Sequence, residues 1–218
     1  MTSVAAAAGR GDAGGVVSFP ALAGAAGLDS ARHPAGGCHV PGDLLGDLVA
    51  EGTGRVVIAA LVVVPGPGDT VTFVRQERGP YAGWWLLPGG KVEFGEPVAE
   101  AARREAAEES GCELGDLTLT GAYEIFGPGH HFVMWAYRSD RIGVVPDRFD
   151  GHHVSAVRQE RWDRLEPHPT DMPILNDAGA AGYPRELIAD RLAREQITMA
   201  SLLTGEVYGA ASRMVSAG

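Results

Sequence analysis

Gly90-Lys91-Val92-Glu93-Phe94-Gly95-Glu96-Pro97-Val98-Ala99-Glu100-Ala101-Ala102-Arg103-Arg104-Glu105-Ala106-Ala107-Glu108-Glu109-Ser110-Gly111-Cys112 is the stretch on which the reading of this chain turns. Pro97 suits the first turn of a helix, where its missing N–H would be unpaired anyway, and Gly111 suits the left-handed residue that ends one. The spacing therefore predicts a helix from Pro97 to Ser110. On such a helix Glu105, Glu108 and Glu109 fall at about 0°, 300° and 40°, within one arc of about 100°. Between Glu93 and Asp116 eight acidic residues meet only Arg103 and Arg104, so 24 residues carry −6 of the chain's formal −10. Like charges at i, i+3 and i+4 repel. Two readings follow: a solvated acidic face, or an oxygen-ligand site for Mg²⁺ or Mn²⁺, hard ions that take carboxylates and keep waters for phosphate substrates.

Working outward, Val56 to Val64 is an apolar run of nine residues, about half of what a helix needs to cross a bilayer, and it reads as a buried strand. Pro65-Gly66-Pro67-Gly68-Asp69 breaks it, and Thr70 to Arg75 resumes a β-rich texture, predicting strand, tight turn and strand. Trp84 to Leu87 is a short extended piece ending at Pro88-Gly89-Gly90. Downstream, Leu117 to Phe126, His131 to Arg138 and Val154 to Trp162 are rich in β-formers and bounded by Gly, Pro or Asp. Beyond Pro173 helical spacing occurs twice, around Leu187, Ile188, Arg191 and Leu192, and again around Ile197, Ala200 and Leu203. The expected architecture is a mixed sheet with few helices, in the α/β class.

A chain of 218 residues, 45% hydrophobic, suffices for one ordinary domain with a real core. Residues 1–40 hold eleven Ala and eight Gly, too few large apolar groups to offset the entropy of ordering, and are expected to form a disordered tail. Arg10-Gly11-Asp12, within that tail, is taken as a chance match to an adhesion tripeptide. Leu44, Leu45, Leu48 and Val49 mark a short helix that caps the core. A pI near 5.1 without a basic run argues against a nucleic-acid polymer as partner, while leaving free nucleotides open. Cys38 and Cys112 make no disulfide framework, and Gly9-Arg10-Gly11-Asp12 interrupts the early Ala run, so no secretory leader or membrane partner is expected and the expected location is cytoplasmic.

From Gly90 the order is Gly, five residues, Glu96, seven residues, Arg104-Glu105-Ala106, one residue, Glu108-Glu109, one residue, Gly111-Cys112. This resembles the Nudix box at every specified position, with small Ala106 and Cys112 in its two apolar slots. A chance match is on the order of one in a hundred thousand, which favours the metal site over the solvated face. The flanks agree: Trp85-Leu86-Leu87 precedes Pro88-Gly89-Gly90, and Glu93 stands just inside. The resemblance covers about residues 53–165. The expected organisation is a tail over 1–40, a Nudix hydrolase domain over 41–175, and a C-terminal helical segment over 176–218 packing on the domain or on a second copy in a homodimer.

The resemblance implies an α/β/α sandwich whose loop-helix-loop box holds a divalent metal and activates water against a diphosphate linked to another moiety. Carried over by position, Glu105 and Glu109 would be the principal metal ligands, Glu108 an additional one, and the main-chain carbonyl of Gly90 or Gly89 a further oxygen. Arg104 would orient carboxylates, with Glu96 its partner across the loop. Glu105 is also a candidate base, although some family members take the base from beyond the box.

Around the box, Arg75, Arg78 and Lys91 are candidates for substrate phosphate, each with surface exposure as the alternative. Tyr81, Trp84 and Trp85 cluster within five residues; adjacent strand residues face opposite sides, so one Trp is expected in the core and another ring on the substrate. His130-His131 and His152-His153 are expected to point apart and lack zinc-finger spacing, leaving a place in a substrate pocket rather than a zinc site. Glu160 is a candidate late ligand or base. The expected activity is metal-dependent pyrophosphohydrolysis of a nucleoside diphosphate derivative: a nucleotide sugar, ADP-ribose or a modified nucleoside triphosphate. The alternatives are a hydrolase of a non-nucleotide diphosphate, such as a prenyl one, and a non-catalytic ligand sensor on the same fold.

Overall fold

A computed structural model describes residues 54–149 and 151–209 of the chain. The tail expected over 1–40 and the short helix expected over 44–49 lie outside the described residues. In chain order the elements are β1 (Val56–Val63), β2 (Pro65–Gly66), β3 (Thr70–Gln76), β4 (Trp85–Leu86), β5 (Gly89–Lys91), α1 (Val98–Ser110), β6 (Leu117–Gly127), β7 (His130–Ser139), β8 (Val154–Glu160), α2 (Asp171–Asp177), α3 (Arg185–Arg194), β9 (Thr198–Ser201) and β10 (Val207–Gly209).

Six strands form one sheet in the order β10-β9-β6-β7-β1-β5. The β1–β7 pair is parallel and the others antiparallel, making the sheet mixed. The second sheet centres on β3, which pairs with β8 along one edge and with β2 and β4 along the other. The apolar run from Ala59 to Val64 follows from burial on both faces, while Val56 and Ile58 at the start of β1 are exposed. Ala60, Val62 and Val64 pack with Ala102, Ala106 and Cys112 of the box, while Leu61 and Val63 point the other way, into a core shared with Phe73, Tyr123, Ile174, Leu175, Ile188 and Leu192. Because successive strand residues face opposite sides, α1 covers one face of the large sheet and α2 with α3 the other. The small residues Ala102 and Ala106 let α1 lie close to β1.

The box is anchored at both ends. Gly89–Lys91 runs antiparallel to β1 with Leu61 opposite Gly89 and Ala60 opposite Gly90. A Cβ on Gly89 would lie 2.5 Å from the Ala60 carbonyl oxygen, so glycine is required there by the close approach of two backbones. Pro97 stands at the N-cap of α1, one residue before the expected helical turn, and Gly111 ends the helix at φ 68°, its N–H donating to the Ala107 carbonyl.

The second C-terminal helical spacing is corrected. Ile197, Ala200 and Leu203 do not share a helix: Thr198–Ser201 is β9, hydrogen-bonded between β6 and β10. Leu202 and Leu203 are exposed, so the period-three pattern marks no buried stripe, and the edge of β6 supplies the backbone partners that a one-turn helix would lack. Residues 176–209 are thus the end of α2, the ten-residue α3 and two sheet strands rather than a helical segment. Among the described residues no helix is long and apolar enough to cross a membrane.

Candidate active site

The side chains of the box divide into two groups on α1. In the first, Arg104 is the hub. Its Nε donates to Glu96 Oε1 at 2.9 Å and its Nη2 to Glu96 Oε2 at 3.0 Å, a bidentate grip across the loop. Its Nη1 reaches Glu105 Oε1 at 2.8 Å and Glu108 Oε2 at 3.4 Å, and its Nη2 also reaches the Lys91 carbonyl at 3.2 Å. One guanidinium therefore ties together three of the crowded carboxylates and the loop that enters the helix. Arg104 holds the Glu96 carboxyl below its ordinary range. Burial pushes Glu105 upward, against the pull of Arg104.

Glu109 faces elsewhere. It is 6% exposed, and its oxygens accept from two neutral donors: the Gly89 N–H to Oε2 at 3.0 Å and the Gln76 amide Nε2 to Oε1 at 2.9 Å. Burial pushes its carboxyl up to about 8, with the donors at Gly89 and Gln76 pulling the other way. Buried carboxylates are normally paired with a cation, and Glu105 and Glu108 have Arg104. No ion pair to Glu109 occurs among the described residues.

The donor set suits a hard divalent cation, being oxygen throughout. Gly89 and Gly90 form its cradle. The Gly89 amide holds Glu109, and a Cβ on Gly90 would lie 2.5 Å from the Glu105 carboxyl carbon, so the bare turn lets Glu105 approach. Glu105 and Glu109 thus meet one turn of backbone from two sides. Among the described residues no three His, Cys, Asp or Glu side chains form a ready metal cluster; Glu108, the expected additional ligand, is 44% exposed and turned toward Arg104.

The aromatic residues before the turn form a third group. The Tyr81 ring lies 3.9 Å from that of His168, Trp84 meets His168 edge-on at 5.2 Å, and Tyr81 Oη is 2.9 Å from His130 Nε2. His168 is buried, and burial drives its imidazole down to about 3, so it is neutral near pH 7. Trp85 packs against the core with the Arg158 guanidinium 5.4 Å from its ring centroid. Behind these rings the buried Asp171 accepts the Leu87 N–H at 2.6 Å, two residues before Gly89. Gln76, His168 and Asp171 are absent from the sequence-derived set, each being a solitary residue whose partner lies far away in the chain.

The remaining candidates are scattered. Arg75 is exposed and its Nε caps the Gly83 carbonyl at 3.0 Å; Arg78 and Lys91 are exposed. His130 and His131 do diverge along β7, toward Tyr81 and Glu124 respectively. His152 and His153 do not: they precede β8 in a turn, with His153 at φ 60°, and their rings lie 3.7 Å apart at a tilt of 48°. They line an open groove of about 560 Å³ with Glu108, Phe149 and Gly151. Glu160 is removed from the box by strand register. Val154 pairs with Gln76 and Glu160 with Val71, which puts Glu160 roughly 20 Å along β8 from the Gln76 end, out of reach as a ligand or base at Glu109.

The NUDIX domain family model matches residues 55–178, more than half of the chain. The Mycobacterium tuberculosis protein named "Putative 8-oxo-dGTP diphosphatase 2" is 44% identical over 125 residues, which are 56% of this chain and 86% of that protein. The zebrafish (Danio rerio) oxidized purine nucleoside triphosphate hydrolase is 35% identical over 100 residues, 45% of this chain and 62% of its own length, so the match leaves over a third of that relative uncovered. The crystal structure of the MutT NUDIX hydrolase from Burkholderia pseudomallei aligns with TM-score 0.49 and 25% identity over 59% of this chain and 99% of its own. With the box complete from Gly90 to Cys112 and the family model running from β1 to the end of α2, the chain belongs to the Nudix hydrolase family.

Proposed function

We propose that this protein is a metal-dependent pyrophosphohydrolase of a nucleoside triphosphate with a modified, oxidised purine base. The observation that carries the reading is the buried Glu109 carboxylate, held by neutral donors only, beside Glu105 at the bare Gly89-Gly90 turn. Glu105, Glu109 and the Gly90 carbonyl, with Glu108 from the rim, would hold Mg²⁺ or Mn²⁺, which when bound neutralises phosphate oxygens and lowers the pKa of water. Glu105 Oε1 is taken by Arg104, so Oε2, with two lone pairs, would both face the cation and accept the proton of the attacking water. The water oxygen bonds to phosphorus, the anhydride P–O bond breaks, and its electron pair leaves on the departing phosphate. Arg104 keeps Glu105 from swinging, and its bidentate bond to Glu96 ties that restraint to the loop. Tyr81 and Trp84, with the neutral His168 between them, offer flat faces to a purine. The names of the mycobacterial and zebrafish relatives support an oxidised purine over the nucleotide sugar or ADP-ribose.

The test is hydrolysis of 8-oxo-dGTP, dGTP, ADP-ribose, nucleotide sugars and a prenyl diphosphate in Mg²⁺ and in Mn²⁺, with products identified by mass. Monophosphate and pyrophosphate from 8-oxo-dGTP are expected. Glu109→Gln should lower kcat/KM by at least about 100-fold, since residues merely supporting a ligand cost 10–100-fold. Preference for a sugar nucleotide or prenyl diphosphate would overturn the substrate. Tight diphosphate binding without turnover would make the protein a sensor.

A further inference from the structure

We infer that Gln76 is a positioning residue for the reaction: its neutral amide holds the Glu109 carboxylate in place for a cation without cancelling its charge. The inference rests on Glu109 being a metal ligand. Three observations carry it. The contact is direct, Nε2 to Oε1 at 2.9 Å, and joins residues 33 apart in sequence. The backbone of Gln76 is pinned on both sides of its peptide, its N–H donating to the Trp84 carbonyl at 3.1 Å and its carbonyl accepting the Gly83 N–H at 2.8 Å. The pairing of β3 with β8 also slips there: Arg75 lies opposite Ala156 but Gln76 opposite Val154, so Ser155 is passed over. The extra residue belongs to β8, and the ladder is disrupted directly opposite Gln76, the last residue of β3.

The chemical choice of an amide matters. A lysine or arginine at Gln76 would neutralise Glu109, much as Arg104 serves Glu105 and Glu108. An apolar residue would leave Oε1 buried without this donor. Glutamine orients the carboxyl group without adding a positive charge that would compete with a cation, and the Gly89 N–H does the same on Oε2. Arg104 and Gln76 thereby hold neighbouring acids on α1 in different ways: Glu105 and Glu108 are oriented by a charged donor, whereas Glu109 is oriented by neutral ones.

The experiment compares wild type, Gln76→Met, Gln76→Lys and Glu109→Gln by titrating Mn²⁺ without substrate, read by electron paramagnetic resonance of the free ion. It adds kcat and KM for 8-oxo-dGTP at saturating Mn²⁺ and an unfolding midpoint for each variant. Gln76→Met, similar in length but without the donor, should bind Mn²⁺ about 10–100-fold more weakly and lose kcat, with KM within about twofold of wild type. Gln76→Lys should weaken Mn²⁺ at least as much although it can still donate. A folded Gln76→Met that binds Mn²⁺ like wild type overturns the inference. Should Gln76→Met not fold, Gln76→Lys decides it in the same way, with unchanged Mn²⁺ affinity as the overturning result. Unchanged Mn²⁺ binding by Glu109→Gln would instead defeat the assignment of Glu109 as ligand, and the inference with it.

Discussion

Asp171 combines full burial with a single backbone partner, the Leu87 N–H, and a neighbouring Thr170 hydroxyl. Burial pushes its carboxyl up to about 7, against those donors. In the unfolded chain the same group ionises near pH 4. The folded protein therefore retains a proton that the unfolded chain releases as pH rises from about 4 to 7, and stability falls across that window because the unfolded state binds fewer protons. The penalty is absent below the window and complete above it. Asp171→Asn keeps an oxygen for Leu87 but cannot ionise, so the variant should gain on wild type between pH 5 and pH 8, measured as urea midpoints in buffers of equal ionic strength. A constant difference across that range would mean that the buried carboxyl ionises near its ordinary pKa. Asp171 and Gln76 were not readable in the sequence for the same reason. Each makes its decisive hydrogen bond across a large sequence separation, 84 residues for Asp171 and 33 for Gln76, and a lone acid or amide carries no local pattern.

Helix α1 was readable because its signals are local: Pro97 before it, Gly111 after it, and charges spaced to one face. Its C-terminal glycine invites a test of how much is backbone and how much packing. Gly111→Ala would place a methyl carbon in the left-handed region and 2.6 Å from the Phe149 ring. The first effect costs about 1–2 kcal/mol and the crowding about 1–3 more. Gly95→Ala meets the same backbone objection at φ 84° with nothing within 4 Å, so it should cost only about 1–2 kcal/mol. Urea unfolding of both separates the contributions, and equal losses would show that Phe149 moves aside freely. The helical expectation fails at β9 because its four residues, between Ile197 and the turn at Leu202, carry too little pattern to distinguish a period of two from one of three. What makes them a strand is the waiting edge of β6, a tertiary fact.

At the scale of the molecule, the family model ends at residue 178 but the sheet does not. β9 pairs with Tyr123, Glu124, Ile125 and Phe126 of β6, and β10 closes over it. Tyr123, in the same strand, donates its hydroxyl to Asp177 at 2.5 Å. Ile188, Leu192, Ile197 and Met199 are each no more than 2% exposed and belong to the core that also holds Leu175 and Phe73. At about 1.5–3 kcal/mol for each buried side chain, removing these four alone forfeits about 6–12 kcal/mol, comparable with the whole stability of an ordinary domain, about 5–15 kcal/mol. A chain ended after Ala181 should therefore lack a cooperative thermal transition and show poor amide dispersion in NMR, although it retains the complete box. The consequence reaches the active site, because α2, whose Asp171 holds Leu87 ahead of the Gly89-Gly90 turn, packs against β6 and loses the cover of α3 in such a chain. A truncated chain that melts cooperatively within a few degrees of wild type would make residues 182–209 an appendage on a self-sufficient core.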